Sequence, residues 1–215
     1  MKVIITGATG MVGEGVLFEC LENPAVLEIL IIGRRKYELT HPKLKELIVK
    51  DFSEINNYSE VLKQYEGCFF CAGSSSVGEN EVSFTKKTYD FVVPFATSLS
   101  AINPSMIFIY VSGNRTDSTE QGKVMWARVK GRTENALMKL PFKGQYNFRP
   151  AIMIGTKGQK NVKTLYKILG PLIAPFISAK TLKLSEVGKA MINAVAKGYP
   201  TQILETEDIL KLSKK

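Results

Sequence analysis

Three glycines near the start of the chain are the first residues with a recognisable chemical use. Gly7, Gly10 and Gly13 stand in the stretch VIITGATGMVGEGV, where an apolar run ends and a helical pattern begins. In this setting one glycine lets the chain turn sharply, another lets backbone amides approach a pyrophosphate, and a third lets helix and strand pack closely. The amino end of the helix offers unpaired N–H groups and a positive dipole to the phosphates. The spacing therefore predicts a dinucleotide site, with a purely structural turn as the alternative.

The end of the next apolar run bears on which dinucleotide would bind. Enzymes that use NAD usually place an acidic residue there, about 20 residues further on, to hold the adenosine ribose hydroxyls. This chain has Arg34 and Arg35 instead. Guanidinium groups form charge-assisted, often bidentate hydrogen bonds with phosphate, so the 2′-phosphate of NADP is favoured. Two alternatives stay open: both arginines could face solvent, and Glu38 could reach a ribose and so permit NAD.

The elements that would position these residues follow a regular alternation. Short apolar runs rich in β-branched residues predict strands at 2–6, 28–33, 46–50, 67–73, 106–113 and 145–150. Helical periods predict helices at 12–22, 59–65, 81–101, 123–139, 160–169 and 185–197. Strands that are apolar on both faces and separated by helices are typical of a parallel sheet covered on both sides. We expect an α/β fold, a Rossmann-like doubly wound parallel sheet with helices on both faces.

The length of 215 residues suits one domain spanning 1–215, with enough apolar content to bury a core without disulfides or metals. The part after Pro150 departs from strict alternation. We therefore expect 151–215 to pack over the carboxyl edge of the sheet as a small substrate-side cap and not as a second domain.

Composition excludes several classes of function. The net charge is +9, but the basic residues are scattered and no zinc-finger, RNP or basic-zipper pattern accompanies them, so no nucleic-acid partner is expected. The most apolar later stretch, residues 169–178, contains two prolines and is about half the roughly 20 residues that a membrane span needs. No membrane span is expected.

Cysteine and histidine usage indicates the compartment and argues against metals. Three cysteines and no recognisable secretory signal point to a reducing cytoplasm. Cys68 and Cys71 form a CxxC, but residues three apart on a strand point to opposite faces, so these thiols should not meet. With one histidine and three scattered cysteines, no metal site is expected.

Short motifs in a fixed order resemble one known superfamily. They are TGATGMVG, the strand-end GRR, Asp51-Phe52, CAGSS, YVSG, VKG and FRP. Together they resemble the atypical short-chain dehydrogenase/reductase superfamily. More narrowly, the chain is similar to bacterial NAD(P)-binding, nucleoside-diphosphate-sugar epimerase-like proteins related to the Tat-interacting reductase-like group. The resemblance covers nearly the whole chain, including the late ILETEDI.

The resemblance implies which positions hold the cofactor. The pyrophosphate would be wrapped by Thr6, Gly7, Ala8, Thr9, Gly10, Met11, Val12 and Gly13. Arg34 and Arg35 would meet the 2′-phosphate, while Asp51 and Phe52 would border the adenine. The nicotinamide ribose would lie over Cys71, Ala72 and Gly73, and Pro150 would flank the nicotinamide amide. For Asp51, the capping of a loop is an equally good interpretation.

The resemblance also implies a catalytic pair, with one departure from the superfamily pattern. Ser112 matches the catalytic serine after the fifth strand, and Lys130 matches the lysine that holds the ribose hydroxyls. The superfamily places a tyrosine one helical turn before this lysine, as general acid or base. In MWARVKG that position holds Trp126. Indole can donate a hydrogen bond but cannot relay a proton near neutral pH. Trp126 could shape a substrate pocket, stack on the nicotinamide or simply fill space.

Two classes of function follow. One is an NADP-dependent oxidoreductase or epimerase-like enzyme that acts on an unknown small molecule with a substitute acid. Candidates for that acid are Ser112, Tyr110 on the same strand face, and Tyr89. The other class is a catalytically inactive, NADPH-binding regulatory or redox-sensing protein. A monomer and a homodimer are both compatible with the sequence.

Overall fold

The computed structural model describes residues 1–156, 158–160 and 181–215. Its strands are β1 Lys2–Thr6, β2 Glu28–Gly33, β3 Leu44–Ile48, β4 Gly67–Phe70, β5 Ile107–Val111, β6 Gly144–Arg149, β7 Ile152–Ile154, β8 Thr181–Lys183 and β9 Ile203–Glu205. Its helices are α1 Met11–Glu22, α2 Ser59–Leu62, α3 Glu81–Lys87, α4 Tyr89–Ile102, α5 Met125–Leu137, α6 Leu184–Lys197 and α7 Thr206–Leu212. A 3-10 helix spans Phe52–Tyr58.

The main sheet confirms the predicted fold class. Seven strands within the described residues pair in the order β3-β2-β1-β4-β5-β6-β9, and every pair is parallel. The chain crosses over after β3, so β1 pairs with β2 on one side and β4 on the other. In doubly wound sheets this reversal of strand order opens a crevice at the carboxyl ends of the strands, where ligands bind.

Two apolar clusters, one on each face of the sheet, hold the helices against it. Successive residues of β1 alternate between them, since Val3 and Ile5 belong to the first cluster and Ile4 to the second. The first cluster packs α1, α6 and α7 against the sheet. The second packs the 3-10 helix, α2 and α4. Because both sides are buried, the strands need the continuous apolar runs that the sequence shows.

Several predicted boundaries differ from the observed ones, and one predicted helix is divided. β3 spans 44–48 and not 46–50. β4 ends at Phe70 and not at residue 73, and shortly after it the Ala72 amide donates a hydrogen bond to the Thr6 hydroxyl at the end of β1. The single helix expected at 81–101 is two helices. They meet at Thr88, whose φ of −122° and ψ of −77° lie outside helical values. Part of the helix expected at 160–169 lies outside the described residues.

The C-terminal part joins the main sheet, which the sequence analysis did not anticipate. β9 extends the sheet beyond β6, with Phe148 opposite Leu204 and Arg149 opposite Glu205. A separate two-stranded parallel sheet pairs β7 with β8. The helix α6 packs closely on α1, where a side chain on Gly15 would come within 2.6 Å of Leu184. Within the described ranges, no helix is long and apolar enough to cross a membrane.

Candidate functional site: a nucleotide cleft and an adjoining buried polar network

The glycine turn at the end of β1 builds an anion-binding surface. Gly7 has a φ of +72°, and its carbonyl accepts a hydrogen bond of 2.8 Å from the Gly10 amide. A side chain on Gly13 would come within 2.2 Å of the Gly7 oxygen, so the helix can start this close to the strand only with glycine there. Gly10 caps α1 without a side-chain hydrogen bond. The first amides of α1 therefore remain available to phosphate oxygens.

A cleft of about 480 Å³ opens in front of this turn. Most of the residues predicted to hold a cofactor line it together: Gly7, Ala8, Thr9, Gly10, Arg34, Arg35, Phe52, Cys71, Ala72 and Gly73. Thr6 lies fully buried beneath the turn, where its hydroxyl accepts a 3.3 Å hydrogen bond from the Ala72 amide. Met11 and Val12 begin α1 and pack partly into the first core cluster.

One end of the cleft is aromatic. Phe52 and Phe91 line it, and their rings stack with centroids 4.9 Å apart and planes 27° from parallel. Phe91 comes from α4 and was not singled out in the sequence. Asp51, just before Phe52, accepts a 2.8 Å hydrogen bond from the Ser53 amide and caps the 3-10 helix. This backbone hydrogen bond lowers the pKa of Asp51. Asp51 is not among the residues that line the cleft.

The charges around the cleft are of one sign. Arg34 and Arg35 at the end of β2 are exposed, and Lys86 and Lys87 of α3 line the cleft as well. No carboxylate is found among the described residues that line it. Glu38 lines a neighbouring cleft of about 440 Å³ that shares Arg35 with the first.

Ser112 and Lys130 are brought together at the end of β5. The Lys130 ammonium donates a hydrogen bond of 2.5 Å to the main-chain oxygen of Ser112. Burial lowers the pKa of Lys130 to about 8, and the nearby Glu134 carboxylate partly opposes that shift. The Ser112 hydroxyl donates to Glu134 at 2.5 Å and also lies 3.2 Å from the Phe148 carbonyl.

Glu134 is the centre of a buried polar network that the sequence analysis missed. Its fully buried carboxylate accepts hydrogen bonds of 3.1 Å and 3.2 Å from Arg149 Nε and one of 2.5 Å from Arg149 Nη2. Arg149 also reaches the Ser118 hydroxyl at 2.6 Å and Glu205 of β9 at 3.3 Å. Arg149 and Glu134 therefore form a buried ion pair. The signal for Glu134 was its position one helical turn after Lys130.

The two aromatic candidates occupy different environments. Trp126 lies in the first turn of α5 and is partly exposed. Tyr110 is 2% exposed within the second core cluster, with its ring 6.4 Å from that of Phe70. Burial raises the pKa of the Tyr110 phenol, and the Glu134 charge raises it further.

The segment after β6 returns to the glycine turn. Pro150 is buried, and its carbonyl accepts a 3.0 Å hydrogen bond from the Asn114 amide. Further on, the Gln159 side chain donates to the Met11 carbonyl at 2.8 Å. The Thr156 hydroxyl is shielded from solvent and has no hydrogen-bond partner among the described residues. A buried hydroxyl of this kind is costly unless a ligand or water completes it.

Comparison with known proteins identifies the family. Residues 3–113 match the NAD dependent epimerase/dehydratase family, and the chain belongs to that family. It is an atypical short-chain dehydrogenase/reductase, which confirms the resemblance predicted from the sequence.

The relatives and solved structures that it resembles agree with this assignment. Protein HTATIP2 of Rattus norvegicus is 25% identical over 220 residues, covering 99% of this chain and 89% of the relative. Mitochondrial protein FMP52 of Candida albicans is 23% identical, covering 99% and 98%. UDP-glucose 4-epimerase of Thermotoga maritima has a TM-score of 0.68 at 15% identity, covering 100% and 82%. Yeast methylglyoxal/isovaleraldehyde reductase Gre2, complexed with NADPH, has a TM-score of 0.67 at 14% identity, covering 95% and 77%.

Proposed function

We propose that this protein binds NADP(H) in the cleft in front of the glycine turn and acts as an oxidoreductase or epimerase-like enzyme on a small molecule. The observation that carries the proposal is the joint lining of one cleft by the glycine turn and by Arg34 and Arg35. Amides at the start of α1 would take the pyrophosphate, and the two guanidinium groups would take the 2′-phosphate.

Three features of the site fit a dinucleotide. The contacts at Gly7 and Gly13 leave no room for side chains, which keeps the backbone amides accessible. Gly73 has no atoms within 4 Å of where a side chain would begin, so a ribose could lie over it. The Thr156 hydroxyl, which has no hydrogen-bond partner among the described residues, lies three residues before Gln159, whose side chain contacts Met11. It could form a hydrogen bond with a polar group of the ligand.

The charge pattern supports NADP over NAD. A ribose 2′-hydroxyl is normally held by a carboxylate, and the described lining of the cleft contains none. Glu38, which the sequence left as a possible ribose ligand, lines the neighbouring cleft.

Lys130 and Ser112 are the proposed catalytic groups. NADPH, when bound, supplies a hydride to a carbonyl carbon. The Lys130 ammonium would hold the nicotinamide ribose hydroxyls while its main-chain contact to Ser112 fixes its direction. A pKa near 8 lets the ammonium lose a proton, and the resulting amine regain one, close to neutral pH. The Ser112 hydroxyl, anchored on Glu134, keeps its oxygen lone pairs free to accept a hydrogen bond.

Trp126 would form one wall of the substrate pocket, and it supplies no proton. Tyr110 is a poor substitute acid, because its phenol lies in the core and burial raises its pKa. We further propose that the chain forms one domain, in which residues 151–215 contribute the substrate-side cap.

The second candidate is a regulatory protein that binds NADPH without turning it over. Two features support it: by the sequence resemblance Trp126 takes the position of the family's proton donor, and the Ser112 hydroxyl donates its hydrogen bond to Glu134. Such a protein would keep the cleft and lose the chemistry.

One experiment separates the two candidates. Trp126 is the single tryptophan of the chain, so its emission reports on a nicotinamide placed nearby. Bound NADPH is expected to quench that emission. The oxidation of NADPH is then followed with a panel of aldehydes, ketones and dicarbonyls. An enzyme is expected to oxidise NADPH with at least one of them and to lose this activity in Lys130→Ala. Tight binding without turnover across the panel would support the regulator, and no binding would contradict both.

A further inference from the structure

Lys86 of α3 is a cation of the cleft that comes from a different element than the two arginines, and no counter-ion for it is found within the described residues. Its neighbour Lys87 lies 2.5 Å from the Glu79 carboxylate, and this lysine lowers the pKa of Glu79. Arg34 and Arg35 follow the end of β2 and line the same cleft. For Lys86, which is exposed and lines the same cleft, no hydrogen bond or ion pair is found within the described residues.

The position of Lys86 relative to the aromatic pair restricts what it can reach. Phe52 and Phe91 form a flat apolar surface of the kind that holds a base. Lys86 precedes Phe91 by five residues, across the bend at Thr88, and so approaches this surface from α3. The glycine turn is continuous with α1, and α1 packs on the opposite face of the sheet from α4. Because α3 contacts α4, Lys86 lies on the same side of the sheet as Phe91, and we assign this side of the cleft to the adenosine.

A phosphate is the group that this arrangement fits. Several cations and no described carboxylate line the cleft, so an uncharged or cationic group would leave their mutual repulsion unrelieved. At the adenosine end of a nicotinamide dinucleotide, the one phosphate is the 2′-phosphate of NADP. We infer that Lys86 is a third cation of the 2′-phosphate site, closing it from α3 opposite Arg34 and Arg35. This inference rests on the proposed function, since it requires the cleft to take NADP(H).

The test compares NADPH and NADH binding, by calorimetry, in the unsubstituted protein and in Lys86→Met. Loss of a charge-assisted phosphate contact should weaken NADPH binding roughly ten-fold or more. NADH binding should change little, because NADH lacks the 2′-phosphate. Lys86→Arg should restore NADPH affinity. Lys87→Met should cost less than Lys86→Met, because Glu79 already neutralises Lys87.

Lys139→Met is the matched control. Lys139 is exposed and does not line the cleft, and its substitution changes the net charge by the same amount as Lys86→Met. Equal losses for NADPH and NADH would place Lys86 at a group common to both and overturn the inference. An unchanged NADPH affinity in Lys86→Met would overturn it as well. If the unsubstituted protein binds neither coenzyme, the proposed function itself fails and the role of Lys86 fails with it.

Discussion

The Glu134 carboxylate is the centre of a hydrogen-bond network that connects the ends of three strands and one loop. It receives hydrogen bonds from Ser112 after β5 and from Arg149 of β6, and Arg149 in turn reaches Glu205 of β9. Removing one partner of a buried ion pair leaves the other charge uncompensated, which costs about 3–5 kcal/mol. Glu134→Ala should lower the free energy of unfolding by that amount, measured by urea denaturation.

An exposed pair of the same chemistry is the control for this prediction. Glu60 lies in α2 and Lys63 directly follows it, with Lys63 Nζ 2.7 Å from Glu60 Oε1. The side chains of Glu60 and Lys63 are 84% and 52% exposed. Glu60→Ala should change the unfolding free energy by less than about 1 kcal/mol. Comparable losses in the two variants would contradict the structural role assigned to Glu134.

Lys130 gives the protein a specific dependence of stability on pH. Its ordinary pKa of 10.5 applies to the unfolded chain, while burial lowers the pKa to about 8 in the fold. Between these values the unfolded chain binds one more proton than the folded protein, so stability rises with pH across this window. The measurement is the unfolding free energy of the unsubstituted protein minus that of Lys130→Met. This difference should increase from pH 7 to pH 10. A pH-independent difference would show that Lys130 titrates normally.

If the proposed site is correct, Trp126→Tyr should supply a proton donor at the position where the superfamily pattern has a tyrosine. A positioned acid typically contributes 10²- to 10⁴-fold, so the rate of NADPH oxidation across the panel of carbonyl compounds should rise roughly 100-fold. Val124→Tyr is the control, because Val124 is an exposed residue just before α5. If Trp126→Tyr and Val124→Tyr gave the same rate, position 126 would not face the reacting group.

The sequence predicted the backbone parts of this site better than the side-chain partners. The glycine turn could be predicted because Gly7 and Gly13 meet constraints of local backbone geometry. Phe91 and Glu134 were missed because their importance arises from contacts with residues far away in the chain, at Phe52 and Arg149. One signal was present, since Glu134 follows Lys130 by one helical turn.

At the scale of elements, two glycines allow α1 and α6 to touch. A side chain on Gly15 would come within 2.6 Å of Leu184, and one on Gly188 within 2.7 Å of Glu19. At an open helical position, replacing glycine by alanine stabilises by up to about 1 kcal/mol. Here Gly15→Ala should instead destabilise by about 1–3 kcal/mol, because it overpacks the helix contact. A gain in thermal midpoint for Gly15→Ala would contradict the observed packing.

Long, strongly apolar elements were predictable and short ones were not. Four strands could be recognised from the sequence because they carry runs of buried residues on both faces: β1, β2, β5 and β6. β9 has three residues and is recognised as a strand only through its pairing with β6. The bend at Thr88 lies between two helices that both contact α5, and the local pattern of residues 81–101 does not show these contacts.

At the scale of the whole molecule, the order of the strands locates the ligand. Placing β1 between β2 and β4 brings the glycine turn, the arginines and the 71–73 loop to one crevice. This topology follows from the regular alternation of strands and helices, so the sequence could predict it. The substrate could not be predicted, because its contacts come from loops that the sheet positions but does not specify.

The binding of NADPH to the unsubstituted protein tests the account most directly. Calorimetry with NADPH and NADH in parallel, together with thermal unfolding in their presence, measures both affinity and selectivity. We predict that NADPH binds more tightly than NADH and raises the thermal midpoint. The absence of heat and of thermal protection with either coenzyme at millimolar concentration would contradict the assignment of the cleft.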